Sequence, residues 1–240
     1  MTGINKYLKY FGIEIRKLNL NVYRFKQKYL LDKNKITNLL DVGASGGLYG
    51  KLVRSYGYSG NIFSFEPVKK SYDILAKSAA NDTSWYCYNY ALGSNDRKMS
   101  INVANDGYST SFLNINDGGA LKHKNIHYQS KEIVEVKKLD SIVRDLPLSN
   151  GATYLKIDTQ GFEMEVLQGG ELFLNNIDMI ELELSFYPLY EGELTFEHYF
   201  SFLEKMEYKI VNLKPGFTEE STGIVLQSDF VFKKMFDHQK

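Results

Sequence analysis

Residues 36–50, ITNLLDVGASGGLYG, constrain the fold more than any other stretch of this chain. Leu39, Leu40 and Val42 suit a buried parallel strand, Gly43, Gly46 and Gly47 let the backbone turn tightly, and residues 49–56 continue as a helix. A helix start carries unpaired N–H groups and positive dipole, and the glycines leave room for a carboxylate or phosphate to lie against the main chain. A strand, turn and helix of this kind point to a nucleoside-bearing ligand.

The turn lacks the spacing of a dinucleotide fingerprint, because Gly43 is followed by Ala44 and Ser45 rather than by a second glycine two residues on. A second apolar run, residues 62–65, ends in Glu66-Pro67 about 25 residues after Asp41, where an acid can take both ribose hydroxyls. That pairing resembles the S-adenosylmethionine site of class I methyltransferases. The candidate cofactor residues here are Asp41, Gly43, Ala44, Ser45, Gly46, Glu66 and Pro67.

Composition sets the frame: 240 residues, 43% hydrophobic and 24% charged, are ordinary for one globular unit with a substantial core. The single cysteine, Cys87, cannot form an internal disulfide, and no apolar run approaches the roughly 18 residues of a membrane span. Residues 1–30 do not read as a signal peptide, so a reducing cytoplasm is the expected setting. Charge is unevenly placed. Residues 1–35 carry nine Lys and Arg against Glu14 and Asp32, a net of +7, and the rest of the chain balances it. Ile4, Tyr7, Leu8, Phe11, Ile15, Leu18 and Val22 recur at helical spacing in this arm. It reads as a helical cap on a domain of residues 36–240. It also suits a lid over an acceptor, a peripheral contact with lipid-linked acceptors at a membrane face, or a surface that pairs two chains. Nucleic acid is not expected, because no interleaving of aromatic and basic residues continues into the domain.

Downstream the chain alternates. Residues 69–80 predict a helix, 85–91 an aromatic-rich strand, and 99–103 and 133–136 short extra strands around a polar insertion at 105–119, a usual place for acceptor contacts. His123 and His127 could share a helical face, but no acid or cysteine accompanies them at metal-ligand spacing, and they read as surface histidines. Residues 154–170, YLKIDTQGFEMEVLQGG, predict a strand ending at Asp158, a turn through Gln160, and a helix from Phe162. Asp158, Gln160 and Glu163 then stand at the carboxyl end of the sheet, where open α/β folds bind ligands, and face the cofactor's reactive end, with Asp158 a cofactor-binding candidate too. The next strand, 179–184, places Glu181 and Glu183 on one face. After a helix at 195–206, strands at 208–213 and 226–232 are joined without a helix and should be antiparallel.

The order DVGASGG, FEP, NYALGS, YSTSF, VEVKKLDSIV, YLKIDTQGFEMEVLQGG and IELELSFYPLYEGE is similar to that of the FkbM-type S-adenosylmethionine-dependent methyltransferases, over residues 36–235. The resemblance implies a doubly wound α/β fold: a mostly parallel seven-stranded sheet, Rossmann-like, with an antiparallel C-terminal hairpin. It implies methylation of an oxygen, commonly a sugar hydroxyl in a glycosylated metabolite or bacterial surface glycan. It also places Asp41, Gly43 and Glu66 at the cofactor, Tyr90 and Ala91 near the adenine, and Asp158 and Glu163 at the family's fourth-strand and turn acids. Ser45 stands where the family usually has asparagine, and Gln160 where an acid is common.

Methyl transfer to a hydroxyl needs alignment and removal of a proton. Asp158 or Glu163 is the expected proton acceptor, with Glu183 holding a neighbouring hydroxyl; a divalent cation such as magnesium on Asp158, Glu163 or Glu183 is the alternative. Lys156 reads as structural, its stem packed beside the strand. Two other classes remain: a silent cofactor-binding partner protein, and a nicotinamide oxidoreductase, which Ala44-Ser45 and the terminal hairpin disfavour.

Overall fold

The computed structural model describes residues 23–117 and 120–235, with the backbone alone at 23–25, 122 and 123. Residues 1–22 of the basic arm, and the side chain of His123, lie outside the described residues. What is described of the arm is a helix, α1 (Tyr23–Lys33), whose Leu30 and Leu31 are buried against the domain.

The chain then winds as α/β: β1 (Ile36–Val42), α2 (Leu48–Ser55), β2 (Asn61–Phe65), α3 (Lys69–Ala79) and β3 (Trp85–Tyr88). After an excursion come β7 (Ala152–Ile157), α4 (Glu163–Gly169), β8 (Met179–Ser185), α5 (Phe196–Lys205), β9 (Tyr208–Pro215) and β10 (Gln227–Lys234). The seven strands of the main sheet lie in the order β3-β2-β1-β7-β8-β10-β9. Strands β1, β2, β3, β7 and β8 are parallel, and β10 inserts antiparallel between β8 and β9. The terminal pair is therefore antiparallel as expected, with the last strand inside the sheet and β9 at its edge.

The excursion differs from the sequence expectation. The aromatic run at 85–91 is divided: β3 joins the main sheet, while β4 (Ala91–Leu92) leaves it to pair with β6 (Tyr128–Lys137). Together with β5 (Arg97–Ala104) these make a separate three-stranded sheet, β4-β6-β5, with longer strands than the short apolar runs indicated. The first halves of β5 and β6 are polar and largely exposed and carry no apolar pattern, so only the apolar residues further along each strand were legible.

Two layers of helix cover the main sheet. On one face Leu40, Phe63, Leu155, Ile180 and Phe230 pack with Val166 and Leu167 of α4 and Tyr199 and Leu203 of α5. On the other, Leu39, Ile62, Tyr154, Met179 and Val231 pack with residues of α1, α2 and α3. On this second face the strands change character toward their ligand-binding end. Two residues along from the apolar row, on the same face by the two-residue period, stand Asp41, Ser64, Lys156, Glu181 and Asp229. Cross-strand register aligns Ser64, Asp41, Lys156 and Glu181 side by side across β2, β1, β7 and β8. No described helix is long and apolar enough to cross a membrane.

Helix α4 is seated by glycine. A Cβ on Gly169 would lie 1.9 Å from the Gly93 carbonyl oxygen, a contact with backbone that no rotamer change relieves. Gly169→Ala is expected to cost about 1–3 kcal/mol in overpacking, read as a lower urea midpoint; an unchanged midpoint would contradict this packing.

Candidate active site

Two clefts open at the carboxyl ends of the central strands. The first, about 550 Å³ and partly open to solvent, lies over the ends of β1, β2 and β4 and includes Gly43, Ser45, Phe65, Glu66, Pro67, Ala91 and Asp158 in its lining. The second, about 1300 Å³ and more open, is lined by Ala44, Tyr49, Lys156, Asp158, Glu181, Glu183, Lys214 and Asp229 among others. Gly43, Ser45, Tyr108 and Asp158 belong to both. The clefts thus meet at Asp158.

The glycine turn is built by strand pairing and by one carboxylate. The Gly43 and Ala44 N–H groups both donate to the Phe65 carbonyl, at 3.0 Å each. Gly43 has φ +78°, and a Cβ there would lie 1.9 Å from the Asp158 carbonyl oxygen, so β1 and β7 approach closely only because the side chain is absent. Ser45 follows with φ +47°, a left-handed conformation in which asparagine is at home and serine less so. Its N–H donates to Glu66 Oε2 at 2.9 Å, and the Val68 N–H to Oε1 at 2.8 Å. Glu66 therefore ties the end of β2 to the turn, and each of its oxygens keeps a lone pair for a further donor from the cleft. Burial pushes its carboxyl up to about 7 against the pull of these two N–H groups.

The apolar wall of the first cleft comes from both sheets, through Phe65, Leu92 and Ile101, and from Phe112 of the insertion. A polar turn closes its edge, where Asp106 accepts the N–H groups of Tyr108 and Ser109 and the Ser109 hydroxyl. The insertion at 105–119, expected at the acceptor, contributes Gly107, Tyr108, Thr110 and Phe112 to this cleft, and Tyr108 to both.

Not every candidate reaches a cleft. Asp41 has no solvent exposure; it lies beneath the turn, where the Ser64 hydroxyl donates to it at 3.3 Å and the Lys156 ammonium stands 3.7 Å away. Burial raises its carboxyl above the ordinary range, and Lys156 pulls the other way. Gly46 faces Ile74 of α3, and Tyr90 packs on Phe65 and Tyr88. Glu163, expected as a base, is buried in its own turn: it accepts the N–H and hydroxyl of Thr159 and the N–H of Gly161, and lines neither cleft. A carboxylate in the first turn of a helix turns toward nearby free N–H groups, which takes Glu163 away from the ligand side. Its carboxyl, too, is pushed by burial to about 7.

Asp158 and Glu183 are brought together. The Gln160 amide Nε2 donates to Asp158 Oδ1 and to Glu183 Oε2, at 2.8 Å each, and Lys156 Nζ lies 3.1 Å from Asp158 Oδ2. Burial and the Asp158 and Asp229 carboxylates push Glu183 well above the ordinary carboxylate range. Among the described residues no three His, Cys, Asp or Glu side chains are grouped to hold a metal ion. The place between Asp158 and Glu183, where the alternative put a cation, is filled by amide N–H donors.

Four participants were not read from the sequence. Asp229 stands opposite Glu183 in the β8–β10 register and pairs with Lys214 at 3.0 Å; an acid alternating with Phe230 and Phe232 in a buried strand was its signal. Tyr49 donates to Glu181 at 2.5 Å and lies under the Lys156 ammonium, 4.9 Å from ring centre to Nζ. Gln27 of α1 donates to both Tyr49 and Glu181, so the described part of the arm ends in the floor of the second cleft.

The first cleft fits S-adenosylmethionine in the chemistry of its lining: a turn that a Cβ would fill, a buried carboxylate with free lone pairs for ribose hydroxyls, and an apolar wall for a base. The fold is of the methyltransferase-like α/β class, a mostly parallel seven-stranded sheet with antiparallel last strands. The sequence model of the methyltransferase FkbM domain matches residues 41–210, and the chain belongs to that family. No curated protein matches the chain. Solved structures similar to it include M. capricolum TrmK in complex with S-adenosyl-homocysteine, at 11% identity and TM-score 0.49, covering 92% of this chain and 73% of that one. An rRNA methylase from Streptococcus thermophilus matches at 6% identity and TM-score 0.48, covering 91% of this chain and 100% of that one.

Two outcomes follow from this geometry. Gly43→Ala is expected to weaken S-adenosylhomocysteine binding by at least about 100-fold, because the turn must move off β7; calorimetric titration measures this, and unaltered affinity would contradict the cradle. Glu163, at about 7 when folded against 4.5 when unfolded, holds its proton longer in the folded chain. Stability from this group is present below pH 4.5 and lost as pH rises toward 7, so Glu163→Gln should flatten the fall in urea stability across that window. An equal fall in both chains would refute the burial of this carboxyl.

Proposed function

We propose that the chain is an O-methyltransferase acting on a sugar hydroxyl, with the cofactor in the first cleft and the acceptor in the second. The observation that carries this reading is the meeting of the two clefts at Asp158, with carboxylates lining the acceptor side. Carboxylates are acceptor-only groups suited to hold the hydroxyls of a polyol. The lysines of this cleft are already committed, Lys156 to Asp158 and Asp41, and Lys214 to Asp229. A phosphodiester in the cleft would face Asp158, Glu181, Glu183 and Asp229, which argues for a neutral acceptor and against nucleic acid.

When bound, S-adenosylmethionine supplies an electrophilic methyl group on a sulfonium. The chain's own part is to place the acceptor and take its proton. Asp158 Oδ1 and Oδ2 each have one donor, Gln160 and Lys156, and so each keeps a lone pair for the acceptor hydroxyl. Asp158 takes the hydroxyl proton as the oxygen is alkylated, and Lys156 beside it stabilises the charge present before transfer. Glu183, whose carboxyl burial and its acidic neighbours keep high, holds a neighbouring hydroxyl.

The test is methyl transfer from labelled S-adenosylmethionine to a panel of neutral methyl glycosides. Asp158→Asn should lower kcat by about 100-fold or more while S-adenosylhomocysteine binds as before. Intact turnover in that variant would overturn the base assignment, and transfer to RNA but to no glycoside would overturn the acceptor class.

A further inference from the structure

Gln160, in the turn between β7 and α4, enters the chemistry above only as one donor to Asp158. Its backbone is left-handed, φ +57°, a conformation that favours glycine or asparagine over glutamine. Yet both ends of its side-chain amide, and its carbonyl, are engaged. The Nε2 group spends its two N–H bonds on Asp158 and Glu183 at 2.8 Å each, Oε1 accepts the Tyr190 hydroxyl at 2.8 Å, and the backbone oxygen accepts the Ser111 hydroxyl at 2.6 Å. Ionised carboxylates only accept, so the nitrogen end must face them and the oxygen end must face Tyr190. Tyr190 is fully buried, and its hydroxyl is the donor that holds the amide in this sense.

We infer that Gln160, oriented by Tyr190, is a positioning residue for methyl transfer: one uncharged amide holds Asp158 and Glu183 in fixed relation and lets two carboxyls share one acceptor site. This rests on the reading of Asp158 as the proton acceptor. Electrostatics give the reason for an amide. Asp158, Glu183 and Asp229 are crowded at the ends of β7, β8 and β10, Lys156 pairs with the first and Lys214 with the last. Among the described residues no cation stands within ion-pair distance of Glu183, and the Gln160 N–H is the donor it receives. A lysine at position 160 would bind both acids and exclude the acceptor, and a glutamate would add a further like charge. The amide binds both, leaves a lone pair on each oxygen of Asp158, and adds no charge.

The variants are Gln160→Leu, Gln160→Glu and, as a milder change that keeps the turn, Tyr190→Phe. In carbon-13 carboxyl NMR, with the Glu183 signal assigned through Glu183→Gln, Glu183 should titrate higher in Gln160→Leu and Gln160→Glu than in the native chain, by about one pH unit or more. In the glycoside assay kcat should fall by about 10- to 100-fold for Gln160→Leu and about three- to tenfold for Tyr190→Phe, with S-adenosylhomocysteine affinity within about threefold of native. The acid limb of the rate profile in Gln160→Glu should move to higher pH. A residue that only supported the turn would lower the melting temperature and leave the titration and the limb in place, and that result overturns the inference. The NMR arm needs no acceptor. If no glycoside is methylated, or if Asp158→Asn keeps its turnover, the proposed function fails, while an unmoved Glu183 titration separately defeats the role of Gln160.

Discussion

The site depends on one buried cation. Lys156 stands in the middle of the sheet with Asp41 on one side, Glu181 on the other, and Asp158 two residues on, its ammonium over the ring of Tyr49. Burial alone would draw its pKa down, but Asp158, Asp41 and Glu181 together outweigh that and hold it above its ordinary value. Two buried acids of the row, Asp41 and Glu181, flank this charge, and removing it would leave Asp41 buried without compensation. The same cation pairs with Asp158, so the packing of the sheet and the placement of the proposed proton acceptor share one interaction. Trp85 extends the row at the other end by donating to Ser64 at 2.9 Å, which in turn donates to Asp41.

Around that row the fold brings two different surfaces to one point. The glycine turn and Glu66 are stitched by backbone donors, which pre-orders the cofactor cleft before anything binds. The second cleft, the proposed acceptor site, is assembled from distant parts of the chain: Gln27 from α1, Tyr49 from α2, Glu181 and Glu183 from β8, and Asp229 from β10. Insertion of β10 beside β8 is what sets Asp229 opposite Glu183. A purely parallel sheet would have put another βα unit there, so the antiparallel strand is what brings an acid into the lining of the second cleft.

Local signals were legible in the sequence and long-range ones were not. The turn at 43–47 could be read because strand and glycines act within a few residues of one another, and Glu66 because it ends the next apolar strand run at the spacing such a site needs. The two-residue period showed that Asp41 shares a face with Leu39, but period gives face and not depth, and Asp41 proved to lie under the turn rather than toward a ligand. Glu163 was read as ligand-facing from its place after Asp158, whereas its carboxylate is satisfied by Thr159 and Gly161 in its own turn. Gln160 looked like a departure that weakened the site; its use as a bridge depends on Glu183 and Tyr190, which only the folded chain brings near. The division of residues 85–91 between two sheets was hidden for the same reason, since pairing partners β2 and β6 lie far apart in sequence.

The central claim is that the glycine turn and Glu66 form an S-adenosylmethionine cleft and not a dinucleotide one. Calorimetric titration of the purified chain with S-adenosylhomocysteine and, separately, with NAD tests it most directly. Saturable binding of S-adenosylhomocysteine with no heat from NAD is the predicted result; binding of NAD, or of neither, would contradict the account.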